Sequence, residues 1–164
     1  MIVVSDTSPI SALFLINRLE LLPILYGQVV IPPAVKRELQ KLETDFGHDL
    51  SSLETASWLK TIAVSDGARY LHYRRVLDEG ESEALTLVHE LTADLLLIDE
   101  IRGRKVAESE GIAYVGVLGV LLSAKSKGIL VGIRDVLDDL RRIAGFHLGQ
   151  NLYEAVLQQA GELE

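Results

Sequence analysis

Five carboxylates stand where a chain could use them together. Asp6 follows the apolar run Ile2-Val3-Val4 in VVSDTSPI, and Asp99 follows Leu95-Leu96-Leu97-Ile98. Glu38 lies in PPAVKRELQKL, three residues after Val35. On a helix it borders the apolar face set by Val35, Leu39 and Leu42. Glu81 and Glu83 lie in GESEALTLVHEL, whose apolar centre is Ala84, Leu87, Val88 and Leu91. Glu81 takes the inward side of that helix and Glu83 the edge of its stripe, both in a first turn where the helix dipole favours negative charge. Carboxylates facing one crevice repel each other, and a hard cation relieves the repulsion. Mg²⁺ or Mn²⁺ takes a few direct carboxylates and keeps several waters. One or two such ions can activate water and stabilise in-line displacement at a phosphodiester. Ser5, Thr7 and Ser8 could orient the ligand waters. Asp6, Glu38, Glu81 and Asp99 are the expected catalytic and metal-binding acids, with Glu83 as the rival to Glu81.

Each acid also has a plainer reading. Asp6 ahead of Ser8-Pro9 suits a helix N-cap. Glu38 suits a solvated helix position, Glu81 and Glu83 suit first-turn acids or half of a capping arrangement, and Asp99-Glu100 suits a turn. Their joint placement, at strand ends and on inward helix edges, favours the metal.

The positioning elements are short apolar strands alternating with helices. Strands are predicted at Ile2–Val4, Gln28–Ile31, Trp58–Val64, Leu95–Ile98 and Ile112–Val115. Helices are predicted over Ser8–Asn17, Glu20–Tyr26, Ala34–Leu42, Gly67–Leu77, Glu81–Leu91, Arg102–Glu110, Leu118–Lys127, Ile133–Ile143 and Asn151–Gln159, with Thr44–Ser52 as a polar loop. Continuous apolar strands between helices predict an α/β fold with a mainly parallel sheet covered on both faces. Such sheets carry their sites in the crevice beyond the carboxyl ends of the strands. If the first strand neighbours Leu95–Ile98, Asp6 and Asp99 open into one crevice.

A chain of 164 residues, 48% of them hydrophobic, is expected to form one domain over residues 1–164. It has no cysteine, which removes thiolate metal sites and a cysteine nucleophile, and which fits a cytoplasmic location. MIVVSD has no basic n-region, and no apolar run is long enough to cross a bilayer. The net charge of −8 argues against general electrostatic coating of nucleic acid. A local patch is still available. Arg102, Arg104 and Lys105 follow Asp99 directly and are expected to hold substrate phosphates, the alternative being surface pairs with Glu108. Arg69, Arg74 and Arg75 form a second cluster. His48, His72, His89 and His147 show no metal-type spacing. Tyr153, Val156 and Leu157 form a stripe that docks on the core or makes a dimer contact, and a homodimer is expected.

VVSDTSPI, VVIPPAVKREL, DEGESEALTLV, LLLIDEIRGRKVA and GVLGVLLSAKSKGIL occur in an order and spacing that resemble the PIN-domain superfamily, in particular the prokaryotic PIN-like group DUF3368. The resemblance implies a three-layer α/β/α sandwich and a metal-dependent ribonuclease acting on single-stranded RNA. It carries the first acid to Asp6, the second to Glu38 and the fourth to Asp99, with Glu100 beside it. For the third, Glu83-Ala84-Leu85 fits the local pattern, while Glu81 fits the inward phase and the distance to Asp99. Ser8 matches the hydroxyl position after the first acid. Relatives often act as toxins restrained by a small antitoxin, so such a partner is expected. A non-catalytic interaction module that keeps the fold is the competing reading, favoured by the acidic charge and by glutamate where many relatives have aspartate.

Overall fold

The computed structural model describes residues 1–163. In chain order the elements are β1 Val3–Ser5, α1 Thr7–Leu15, α2 Leu21–Tyr26, β2 Val29–Ile31, α3 Pro33–Thr44, α4 Ser51–Glu54 and β3 Leu59–Thr61. There follow α5 Gly67–Arg74, α6 Glu79–Leu91, β4 Leu95–Leu97, α7 Ile101–Ser109, β5 Tyr114–Val115, α8 Val117–Ser126, α9 Arg134–Arg142 and α10 Gln150–Gln159.

The strands form one sheet in the order β3-β2-β1-β4-β5, with every pairing parallel. Side chains alternate across it with period two. Val3, Val29, Ile31 and Leu97 join a core made with α1, α2, α8, α9 and α10. Val4, Val30, Leu96 and Ile98 join a second core with α5, α6 and α7. Burial on both faces is why the strands read as unbroken apolar runs, and helices on both faces make the expected three-layer arrangement. Tyr153, Val156 and Leu157 are buried in the first core, so the C-terminal stripe docks internally.

The chain leaves β1 toward β2 and β3 on one side and returns to β4 and β5 on the other. The β1–β4 boundary is therefore the topological switch point, where open parallel sheets form a crevice. Ser5 pairs with Leu97, and the Asp6 N–H donates to the Leu97 carbonyl at 2.9 Å. Asp6 and Asp99 thus follow adjacent strands at the same end of the sheet.

Most predicted boundaries shift by one to three residues, and three of the shifts have a visible cause in the structure. The polar stretch predicted as a loop over 44–52 begins inside α3 and ends inside α4, because Leu50 and Leu53 are buried against the core. The third strand shortens to Leu59–Thr61, an edge strand open to solvent on its outer side. Helix α6 begins at Glu79 instead of Glu81, because Asp78 caps it by accepting from the Glu81 N–H at 2.8 Å.

Candidate active site

Asp6 stands between β1 and α1 and is only 4% exposed. Its backbone is extended like that of an N-cap, but its side chain makes no capping hydrogen bond. The carboxyl is therefore free for other use. Burial pushes its pKa from 3.8 up to about 8. The negative charges of Asp78, Glu81 and Glu38 act in the same direction, against the Thr7 amide.

Glu38 reaches the same place from α3, where the Thr7 hydroxyl donates to its Oε2. The two acids share a notch on α6 at Gly80. A Cβ at that position would lie 2.8 Å from Glu38 Oε1 and 3.3 Å from Asp6 Oδ1. A methyl at this position would push the Glu38 carboxyl aside, so the glycine lets both carboxyls sit against the helix as they do.

Glu81, one residue further on, is buried. Desolvation raises its pKa from 4.5 to about 7, and the charges of Asp78, Glu100 and Glu38 add to the shift. Its carboxyl carbon lies against α7 at Gly103, 3.8 Å from where a Cβ would stand. Glu83 points elsewhere: its Oε2 accepts from the Ala34 N–H at 2.7 Å and satisfies an amide at the start of α3. Asp78, which sequence reasoning did not single out, belongs electrostatically to the Asp6–Glu81 group. Its signal was the pattern Asp78-x-x-Glu81, an acid at the N-cap with a glutamate three residues on.

Asp99 lies across the switch point, just after β4. Its Oδ1 accepts from the Val117 N–H at 3.0 Å, at the N-terminus of α8, with Arg104 Nη2 at 3.8 Å. Burial raises its pKa, and the Val117 amide and Arg104 oppose the rise. Its Oδ2 is buried and has no hydrogen-bond partner. Gly116 makes room for this pair, since a Cβ there would fall 2.4 Å from Asp99 Oδ1.

The basic residues divide. Arg104 is turned inward: its Nε donates to the Ile98 carbonyl at 3.0 Å and its guanidinium lies 5.6 Å from the Tyr114 ring centre. It holds Asp99, and the alternative of a surface pair with Glu108 is not formed. Arg102 and Arg75 line a cavity of ≈ 530 Å³ together with Asp78, Glu81 and Glu100. Lys105 is exposed on α7, and Ser8 lines a second cavity with Asp99 and Glu100.

Residues 2–162 match the family DUF3368, described as a PIN domain. The chain belongs to that family. PIN domains are typically nucleases and generally use divalent metal ions. The fold also resembles that of a PilT N-terminus domain protein from the hyperthermophilic archaeon Sulfolobus solfataricus P2. The TM-score is 0.55 and the identity 22%, covering 76% of this chain and 93% of that one. No curated protein matches the sequence.

Among the described residues, no three His, Asp or Glu side chains converge as a direct metal cage. The charges of Glu38 and Glu81 nevertheless fall close enough to Asp6 to raise its pKa, and Asp99 keeps a buried oxygen unpartnered. All-oxygen, all-acid donors of this kind fit a hard divalent ion that retains much of its water.

Among the described residues, no helix is long and apolar enough to cross a membrane.

Proposed function

We propose that this PIN-domain protein is a Mg²⁺- or Mn²⁺-dependent endoribonuclease that hydrolyses phosphodiester bonds of single-stranded RNA. We further propose that it is the toxin of a toxin–antitoxin pair, restrained by a small partner protein. The observation that carries the nuclease reading is the gathering of buried Asp6 and Glu81 with half-buried Glu38 at the switch point, beside a cleft rimmed by Arg75 and Arg102.

Asp6, Glu38, Glu81 and Asp99 would hold the ion. When bound, it supplies an activated water and Lewis-acid stabilisation of the phosphorane-like transition state. The other residues position that set. Thr7 fixes the Glu38 carboxylate, Asp78 pins the first turn of α6 that carries Glu81, and Val117 with Arg104 orients Asp99. Arg75 and Arg102 offer the cationic contacts of the cleft to the RNA backbone. On a chain of net charge −8, a polyanion docks where such a local cationic rim offsets the general repulsion.

The test is cleavage of a mixed single-stranded RNA pool with Mn²⁺ or Mg²⁺, alongside calorimetric metal titration of wild type and the Asp6→Asn/Asp99→Asn double variant. Binding and cleavage in wild type, both lost in the variant, are the expected outcome. A second reading has a specific observation behind it: the described acids make no direct metal cage. It takes the protein as a non-catalytic interaction module of the same fold. Absence of metal binding in wild type would favour that reading.

A further inference from the structure

We infer that a second groove, across Glu100 from the Arg75–Arg102 cleft, receives a nucleobase of the substrate strand and stacks it at Phe146 and His147. This rests on the ribonuclease reading of the adjoining site.

The groove has a volume of ≈ 560 Å³ and lies between α1, α7, α8 and the turn joining α9 to α10. It adjoins the acidic site: Asp99 and Glu100 form one edge, and Glu100 also lines the cleft that holds Arg75 and Arg102. On this proposal, a strand whose phosphate meets those arginines places a neighbouring nucleotide past Glu100, at the mouth of this groove.

Its chemistry matches a base. Ile101 and Leu152, 70% and 48% exposed, present apolar surface to solvent. Ser8 and Ser11 add hydroxyls on the α1 side. A nucleobase has the same division, with apolar faces and a hydrogen-bonding edge. Protein aromatic rings commonly hold unpaired bases of single strands by stacking.

The turn that carries the aromatic pair is pinned in place. Gly145 adopts φ +64°, a left-handed conformation that suits glycine, and brings the chain round so that Phe146 and His147 line the groove. The Phe146 N–H donates to the Leu140 carbonyl at 2.9 Å. Arg141 braces the other end, donating through Nε to the Leu148 carbonyl at 3.0 Å and lying 4.0 Å above the Tyr153 ring. A platform fixed this way loses little conformational freedom when a base arrives.

The test uses the full chain in EDTA, where RNA can bind without being cut. A single-stranded RNA carrying 5-bromouridine is photo-crosslinked and the adduct mapped by mass spectrometry, and affinity is measured by fluorescence anisotropy. The expected crosslink is to Phe146 or His147. The Phe146→Leu/His147→Ala double variant should bind roughly tenfold more weakly, the loss of one base stack. Phe146 also packs on the core, so Leu152→Glu provides a variant at an exposed site that should weaken binding without touching it. Crosslinks that map away from the groove, or unchanged affinity in both variants, would overturn the base site. If wild type still cuts RNA with Mn²⁺ in that case, the ribonuclease reading stands alone. RNA that neither binds nor is cut overturns both.

Discussion

Replacing Asp6 by asparagine should make the metal-free protein more stable, although it removes a residue of the proposed centre. In the unfolded chain Asp6 ionises near 3.8, whereas in the fold it holds its proton up to about 8. Between these values the native state binds more protons than the unfolded state, so stability falls as pH rises from about 4 to about 8. At roughly 1.4 kcal/mol per pKa unit, Asp6 costs the fold at most about 4 kcal/mol at pH 7. Rotation of Glu38 and entry of water reduce that ceiling, and a gain of about 2 kcal/mol in the variant is expected. For a chain of this size that corresponds to a rise in Tm of roughly 4–8 °C. The assay is urea and thermal unfolding in EDTA at pH 5 and pH 8. The gap between variant and wild type should widen toward pH 8, where the penalty is fully developed. Added Mn²⁺ should close it by stabilising wild type alone, more at pH 8 than at pH 5, because the metal competes with the proton for the carboxylate. A variant less stable than wild type at pH 8, or a gap equal at the two pH values, would refute the crowded-carboxylate account of the site.

Other substitutions separate the site from the scaffold. Gly80→Ala gains about 1 kcal/mol of helix propensity but places a methyl 2.8 Å from Glu38 Oε1. Unfolding should show stability held or improved, while cleavage assays show a loss of roughly tenfold to a hundredfold from the displaced acid. Gly116→Ala drives a Cβ into Asp99 and Arg104 and should cost about 1–3 kcal/mol by breaking the contacts of a buried carboxylate, read by denaturant midpoint. Glu83→Gln and Glu81→Gln should differ in kind. The first weakens the bond to the Ala34 amide, costs about 1 kcal/mol or less and leaves cleavage intact. The second relieves a buried charge and abolishes cleavage, as paired stability and activity measurements would reveal.

Much of this protein was legible in order along the chain. Runs such as Val3-Val4 and Leu95-Leu96-Leu97 marked strands buried on both sides, because an apolar segment without alternation must be covered twice. Alternation with amphipathic helices then limited the architecture to a parallel sheet between helical layers, and an aspartate closely following each of β1 and β4 marked the open edge. Asp6 and Asp99 were readable for that reason. What the chain could not declare was proximity. That β1 lies beside β4 is a matter of sheet order, settled by which helices cover which face. That Glu81 is buried while Glu83 accepts from the Ala34 amide follows from the start of α6 at Glu79 and from a contact with α3, forty-nine residues away in sequence. The roles of Gly80 and Gly116, and the inward turn of Arg104, are likewise contacts between distant segments. Local sequence determines hydrophobic periodicity and offers the capping candidates, since these depend on neighbours within a few residues. Which charges share a low-dielectric space, and so which carboxyls are lifted toward neutrality, depends on groups brought together only by folding.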